Sequence, residues 1–382
     1  MILKRILTIS NLLKKKSFFL FGPRGTGKSS LIREQLAQET LVIDLLRSDF
    51  YLRLTASPQD LESMIDAHPK ITYVAIDEVQ RIPMLLNEVH RLIETKKIKF
   101  LLTGSSARKL RSKGINLLAG RAWEAELFPL TRFEIPQFNL NRYLQYGGLP
   151  AVYLSQEPAE ELFAYTNTYL HEEIQAESLV RKIPAFSRFL QVAALTSGQI
   201  LNFTNIASDT GIPTSTVREY YQILQDTFIG FLVPAWTKTV KRKAVSTAKF
   251  YLFDLGVRNI LAQIKTIEPQ SELFGYSFEH FIALELRAYI SYRRLHLSLN
   301  YWQSKHGVEV DFIIGDSIAI EVKTANNVQE KHMKGLRQLA EEDICKRYIL
   351  ISQDRIPRKE GKIEIFYWQD FLELLWDDKI VF

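Results

Sequence analysis

The chain has 382 residues, of which 46% are hydrophobic and 24% are charged, as is typical of globular proteins with full cores. This length favours two or three domains, and a net charge of +6 is too mild a basic excess to establish a polyanionic partner by itself. The single cysteine, Cys345, excludes an internal disulfide framework and a cysteine-based zinc site. Since no signal peptide pattern is present and no apolar run could span a bilayer, we expect a cytoplasmic protein without a membrane partner.

The first chemical motif follows a predicted lead helix (residues 2–13) and an apolar strand, Ser17–Phe21. It has the form G-x-x-x-x-G-K-S and precedes a predicted helix over residues 30–38, the context of a P-loop that binds phosphates through backbone N–H groups. In this interpretation Lys28 contacts the β- and γ-phosphates of ATP and Ser29 binds Mg²⁺. The alternative is a glycine-rich turn that matches by chance. The predicted nucleotide-binding residues are Gly22, Pro23, Arg24, Gly25, Thr26, Gly27, Lys28, Ser29 and Ser30.

Two acids follow the next strongly apolar strand. After a second predicted strand (40–45) and a helix that begins at Pro58, residues 72–76 read as a buried strand that ends in Asp77 and Glu78. Asp77 would hold Mg²⁺ beside Ser29, and Glu78 would polarise the attacking water as a general base. The alternative is an acidic pair that caps a helix over residues 80–95.

A fourth predicted strand, 99–103, ends in hydroxyl residues. Thr103 or Ser105 would contact the γ-phosphate or the water, because ligands bind at the carboxyl ends of strands in open α/β sheets. The alternative is that these residues only cap the next helix. Strands and helices alternate throughout this part, which predicts a parallel, doubly wound α/β sheet behind the P-loop.

These motifs resemble those of the AAA-type ATPases. The likeness rests on the loop at residues 22–29, on Asp77-Glu78 and on the strand that ends at residues 103–106; residues 118–121, 128–130, 147–150 and 253–256 are similar to one prokaryotic branch with a C-terminal domain of poorly defined function. The resemblance implies ATP and Mg²⁺ as cofactors and a homo-oligomer. It also implies that an arginine of a neighbouring subunit reaches the γ-phosphate. Arg121 lies where such a residue is expected, and an ordinary surface ion pair is the alternative.

The middle of the chain has a helical pattern from residue 159 to 198. Two short predicted helices, at 202–207 and 214–221, flank a Gly-Ile-Pro turn, and two predicted strands, 228–236 and 249–253, flank a basic segment that contains Lys238, Lys241, Arg242 and Lys243. This order is typical of a winged helix that contacts DNA through its second helix and its wing. The alternative is a protein-interaction module with a solvated hairpin tip.

The last third contains a possible metal site. A predicted helix carries Glu279, and two predicted strands joined by a turn carry Asp311, Glu321 and Lys323. Glu321 and Lys323 are two residues apart in a strand and so lie on one face. Carboxylates that bind Mg²⁺ beside a lysine that orients water would suit phosphodiester cleavage. The arrangement resembles the PD-(D/E)xK nuclease fold, with Asp311 and Glu321 as metal ligands, although many exposed hairpins satisfy so short a pattern.

The sequence therefore predicts three domains: a P-loop ATPase (1–135), a helical lid with a winged-helix-like segment (136–245) and a small nuclease-like α/β domain (246–382). We expect an Mg²⁺-dependent ATPase that acts as a nucleotide-controlled switch on DNA. The alternative is an ATP-gated regulatory or defence protein whose nuclease-like domain only binds a partner.

Overall fold

A computed structural model describes residues 3–36, 40–108, 110, 118–170, 183–239 and 245–381 of the chain. Its first sheet consists of parallel strands in the order β2-β3-β4-β1-β5, with helices packed around it. The strands are β1 (Ser17–Phe21), β2 (Thr40–Asp44), β3 (Tyr73–Asp77), β4 (Lys99–Gly104) and β5 (Ala122–Glu126). The helices are α1 (Ile9–Lys15), α2 (Lys28–Gln35), α3 (Ser48–Ala56), α4 (Asp60–Asp66) and α5 (Leu85–Lys96). This confirms the predicted parallel α/β sheet behind the P-loop.

Three details differ from the prediction. The lead helix starts only at Ile9, because Arg5 is buried and bonded to Glu134 in an irregular segment before it. The helix expected from residue 80 is a 3₁₀ turn, Val79–Arg81, and then α5, since Pro83 lacks an N–H group and restricts the residue before it. Strand β5 was not predicted at all.

The middle segment is largely helical. Its elements are α6 (Leu140–Tyr146), α7 (Pro150–Leu154), α8 (Pro158–Ala164), a π-helical stretch (Tyr165–Leu170), α9 (Ile183–Leu195), α10 (Phe203–Thr210), α11 (Thr214–Asp226), the strands β6 (Gly230–Val233) and β7 (Lys249–Leu252), and α12 (Leu255–Leu261). Strands β6 and β7 are antiparallel. The pair α10 and α11 joined at Gly211 has the predicted arrangement, whereas Lys241, Arg242 and Lys243 lie outside the described residues.

The C-terminal segment is a mixed sheet in the order β12-β13-β11-β10-β9-β8, flanked by helices. Its elements are α13 (Glu272–Tyr292), β8 (Leu299–Gln303), β9 (Glu309–Ile314), β10 (Ile318–Val322), α14 (Lys334–Ala340), β11 (Arg347–Ser352), β12 (Arg358–Glu360), β13 (Ile363–Tyr367) and α15 (Trp368–Trp376). Strands β9 and β10 form the predicted antiparallel pair.

The chain after β6 packs along the C-terminal sheet. The Trp236 N–H donates to the Tyr301 carbonyl at 2.6 Å, and the Tyr301 N–H donates to the Pro234 carbonyl at 3.0 Å. Lys238 forms an ion pair of 2.7 Å with Asp316 in the turn between β9 and β10. The base of the predicted wing is therefore joined to the edge of the C-terminal sheet.

Candidate functional site

The P-loop connects buried β1 to the first residue of α2. Gly22, Gly25 and Gly27 have φ angles of 145°, 81° and 97°, a region that favours glycine. A Cβ atom on Gly22 would also lie 2.3 Å from the Leu127 carbonyl oxygen. The Lys28 ammonium donates to the carbonyl oxygens of Gly22 at 2.7 Å and Pro23 at 3.0 Å. The loop thus holds this cation against its own backbone, beside the N-terminus of α2.

Asp77 lies at the end of β3, beside the loop. Its Oδ2 accepts a 2.5 Å hydrogen bond from the Ser29 hydroxyl, and its Oδ1 accepts one from the buried Thr103 hydroxyl at the end of β4. A serine hydroxyl and an adjacent carboxylate are hard oxygen ligands of the kind that Mg²⁺ prefers. The donor set therefore fits the predicted metal.

Glu78 is held in an unusual conformation. Its φ angle of 61° lies in the left-handed region, and its N–H donates to the Thr103 hydroxyl at 3.1 Å. Its carboxylate accepts a hydrogen bond from the Gln80 amide, which also donates to the Ser105 hydroxyl at 3.1 Å. Gln80, which sequence reasoning missed, therefore joins Glu78 to Ser105, while the Glu78 backbone contacts Thr103 directly. A left-handed non-glycine residue costs about 1–3 kcal/mol and tends to occur at functional positions.

Arg5 also contacts the loop, although no motif marked it. Its guanidinium donates to the carbonyl oxygens of Thr26 at 2.7 Å and Phe128 at 2.6 Å, and forms a buried ion pair of 3.0 Å with Glu134. On the outer side, the Tyr165 hydroxyl of the middle segment donates to the Arg24 carbonyl at 3.0 Å. The loop is thus fixed by residues from both neighbouring parts of the chain.

A small cavity of about 150 Å³ lies next to Arg5 and the start of α2. Its walls carry the apolar side chains of Leu3, Leu31, Leu130, Pro150 and Leu154 and the polar side chains of Arg5, Ser30 and Glu34. Apolar walls with a few polar groups are typical of small-molecule sites.

Arg121 lies away from this loop. It directly precedes β5, whose first residue pairs with Ser17 at the start of β1, so it sits roughly 16 Å along the strand direction from the P-loop edge. Its guanidinium forms an ion pair with Glu94 of α5. The structure does not bring Arg121 to the nucleotide site of its own chain.

The predicted C-terminal acids converge at a second place. Glu279 of α13, Asp311 of β9 and Glu321 of β10 are brought together with Lys323, whose ammonium lies 2.5 Å from Glu321 Oε1 and 4.0 Å from Asp311 Oδ2. Glu309, two residues before Asp311 on β9, also belongs here: oxygens of Glu279, Glu309 and Asp311 lie within 4.8 Å of one another. Sequence reasoning missed Glu309.

A second lysine completes this group. Lys249 of β7 is buried, with its side chain 4% exposed; its ammonium lies 3.1 Å from Glu279 Oε1 and also pairs with Glu309. The Tyr251 hydroxyl donates to Glu279 Oε1 at 2.6 Å. We call these six charged residues the carboxylate–lysine cluster: Lys249, Glu279, Glu309, Asp311, Glu321 and Lys323.

The charges in the cluster affect one another. Burial raises the pKa of Glu279 above its ordinary value, and burial together with the Asp311 charge raises that of Glu321 well above it. Burial alone would lower the pKa of Lys249, but the negative charges of the neighbouring acids, above all Glu279, outweigh it and raise that pKa well above the ordinary lysine value. Lys249 therefore remains an ammonium at neutral pH.

The predicted DNA-contact surface has mixed character. On α11, Ser215 and Arg218 are exposed, and the Arg218 guanidinium stacks over the Phe203 ring at 4.1 Å. Glu219 is exposed beside them. Within the described part of the basic segment, Lys238 is paired with Asp316.

Comparisons with known proteins support the first domain best. Residues 14–135 match a family model described as AAA domain. Residues 137–268 and 274–371 match two models described as domains of unknown function (DUF8612 and DUF4143). The first match, with the P-loop and the order of the parallel sheet, supports an ATPase-type P-loop protein. The third does not show that the C-terminal domain is nuclease-like.

Relatives are distant. A protein of Haemophilus influenzae described as uncharacterized is 24% identical over 384 residues and covers 92% of both chains. The solved structure of AMPPCP-bound DnaA from Aquifex aeolicus is similar to this chain, with 12% sequence identity and a TM-score of 0.30. The match covers 59% of this chain and 89% of that chain. A structure of the replication initiator DnaA bound to AMPPCP and single-stranded DNA is also similar, with 12% sequence identity and a TM-score of 0.27. This match covers 57% of this chain and 86% of that chain.

No helix in the described parts of the chain combines the length and the apolar character that crossing a membrane would need.

Proposed function

We propose that this chain hydrolyses ATP with Mg²⁺ and works as a nucleotide-controlled switch. The observation that carries the proposal is the contact of Ser29, Asp77 and Thr103 directly beside the P-loop. Lys28 and the backbone N–H groups of the loop hold the phosphates, and Ser29 and Asp77 hold Mg²⁺, which neutralises charge on the phosphates. Glu78 accepts the proton of the attacking water.

The base of the nucleotide has a suitable place beside the loop. The cavity of about 150 Å³ is lined by Gly27 and Leu31 of the P-loop region and by apolar side chains from both neighbouring segments. We propose that the adenine base lies here, with Arg5 at its edge.

Replacement of Glu78 by glutamine separates binding from hydrolysis. Since a positioned general base contributes about 10²–10⁴-fold to a rate, we expect Glu78→Gln to lower the ATPase rate by that factor while ATP binding persists. Phosphate release and binding of a fluorescent ATP analogue measure the two quantities.

Glu62→Gln is the matched control: this half-buried acid of α4 pairs with Arg91 and Lys96, and its variant should hydrolyse ATP like the parent. A Glu78→Gln variant with the parental rate would remove Glu78 from the mechanism. The same assay with duplex DNA, single-stranded DNA or RNA tests the switch: stimulation by DNA supports action on DNA, and indifference to all three favours a protein partner.

Assembly into a homo-oligomer is part of the proposal. Arg121 is half-exposed and far from the P-loop of its own chain along the strand direction. A guanidinium at this position could stabilise transition-state charge only on a nucleotide bound by another copy, as such residues do in other nucleotide hydrolases.

A second candidate activity is metal-dependent cleavage of DNA by the C-terminal domain. The observation in its favour is the convergence of Glu279, Asp311, Glu321 and Lys323. Against it stands Lys249, which already pairs with Glu279 and with the neighbouring acid Glu309. That contact favours the alternative, an ATP-gated regulatory or defence protein whose C-terminal domain only binds a partner.

A cleavage assay separates these two candidates. Because Lys249 occupies the cluster, we expect no Mg²⁺-dependent cleavage of plasmid DNA by the nucleotide-free protein. Cleavage that appears with ATP and is lost in Glu321→Ala would support the nuclease. No cleavage in any nucleotide state would rule out the nuclease and favour the binding module.

A further inference from the structure

We propose that Lys249 is the built-in cation of the carboxylate–lysine cluster and excludes a divalent ion from it. The nuclease resemblance implies Mg²⁺ at Asp311 and Glu321, and Asp311 does bring an oxygen within 4.8 Å of oxygens of Glu279 and Glu309. The Lys249 ammonium, however, already lies among these oxygens. The cluster in this conformation therefore does not fit a resident metal ion.

Geometry makes the two cations competitors. Mg²⁺ binds oxygen at about 2.0–2.1 Å, so an ion shared by Glu279 and Glu309 would have to lie where the ammonium now lies. The side chain of Lys249 is only 4% exposed, so its ammonium is held among the acids and away from bulk solvent. An ammonium and a divalent ion within a few ångströms of each other also repel strongly at a buried site.

Lys249 is fixed in the cluster by its strand. The β7 backbone pairs with Val233 of β6 and forms a bridge with Ile200. Two residues further along β7, the Tyr251 hydroxyl donates to Glu279, the same acid that Lys249 contacts. The lysine can therefore leave the carboxylates only if β7 moves relative to α13 and β9.

The two lysines of the cluster differ in origin. Lys323 directly follows β10 and is 35% exposed, as expected for a residue that orients water. Lys249 comes from the middle segment and is buried. Removal of Lys249 alone leaves Glu279 and Glu309 without the cation that pairs with them. Together with Asp311, these acids then form the donor set of a divalent site.

The test measures metal binding, so it depends neither on ATP hydrolysis nor on DNA cleavage. The full chain carries Asp77→Asn, which removes the carboxylate ligand of the P-loop metal, and no nucleotide is added. Electron paramagnetic resonance of free Mn²⁺ then counts the bound ions. We expect Lys249→Met to bind one Mn²⁺ per chain more than this parent, and Lys249→Arg, which keeps a cation, to bind no more than the parent.

Adding Glu309→Gln provides the decisive comparison. In the Lys249→Met variant, Glu309→Gln should abolish binding of the extra Mn²⁺ ion. In the parent it should leave the number of bound Mn²⁺ ions unchanged. A parent that binds Mn²⁺ and loses it with Glu309→Gln would overturn the proposal, as would a folded Lys249→Met chain that binds no extra ion.

Lys249→Gln is a second test variant for the case in which Lys249→Met does not fold. Glutamine has no charge but leaves a polar group among the acids. At saturating Mn²⁺ we expect the melting temperature of this variant to rise by about 5 °C or more. The parent should show no such rise. Equal shifts in the two proteins would contradict the proposal.

Discussion

A Lys28→Ala variant should no longer bind ATP at concentrations that saturate the parent. The Lys28 ammonium is held at the mouth of the P-loop by the Gly22 and Pro23 carbonyls, where it can exchange these partners for phosphate oxygens. Each hydrogen bond to a charged group contributes about 1.5–3 kcal/mol. Loss of bonds to two phosphates therefore weakens binding by roughly 100-fold or more. Isothermal titration with a non-hydrolysable ATP analogue measures this change.

Lys70→Ala is the matched control. Lys70 is exposed in the turn before β3, so its removal deletes the same charge from the surface and should leave ATP affinity unchanged. Circular dichroism establishes that both variants are folded. Tight ATP binding by a folded Lys28→Ala chain would refute the P-loop assignment.

The buried strands of the first domain could be predicted because of where they lie. Strands β1, β3 and β4 are the inner strands of the sheet and are covered on both faces, so they appear in the sequence as unbroken apolar runs. Strand β5 is an edge strand whose residues are mostly half-buried, and its sequence Ala-Trp-Glu-Ala-Glu contains no long apolar run. Nothing in this short pattern distinguishes an edge strand from a loop.

The site residues also fall into two groups, those that a local motif identifies and those that only the fold brings to the site. Lys28, Ser29 and Asp77 lie in motifs whose local spacing carries their chemistry. Gln80 stands only two residues from Glu78, but its role depends on Ser105, which the fold brings from the next strand. Local spacing could not reveal that contact.

The carboxylate–lysine cluster contains one missed residue that the sequence could have revealed and one that it could not. Glu309 could have been found, because it lies two residues from Asp311 on one strand and so shares its face. Lys249 could not, since its place depends on how β7 of the middle segment packs against α13. The residue that changes the interpretation of the cluster is thus the one that only tertiary structure reveals.

Arg5 is the second residue of this kind, and its loss should have the largest effect on stability. Its guanidinium and the Glu134 carboxylate are 129 residues apart in sequence, and both side chains are nearly inaccessible, at 6% and 0% exposure. Arg5→Ala leaves Glu134 buried without its cation and removes the donor to the Thr26 and Phe128 carbonyls. Removal of one partner of a buried pair typically costs about 3–5 kcal/mol, and we expect a loss of that size in the free energy of unfolding by urea.

An exposed ion pair serves as the control for the buried pair of Arg5 and Glu134. Arg47 and Asp49 form an ion pair whose side chains are 61% and 59% exposed, so Arg47→Ala should leave the unfolding midpoint unchanged, because solvent screens such pairs. The double variant Arg5→Ala with Glu134→Gln should recover part of the stability that Arg5→Ala loses, since the amide carries no charge to bury. Equal midpoints for Arg5→Ala and the parent would mean that the guanidinium does not hold the segment from Phe128 to Glu134 against the P-loop.

Because Arg5 also holds the Thr26 carbonyl, a real loss of stability should be accompanied by weaker ATP binding, which Arg47→Ala should not show.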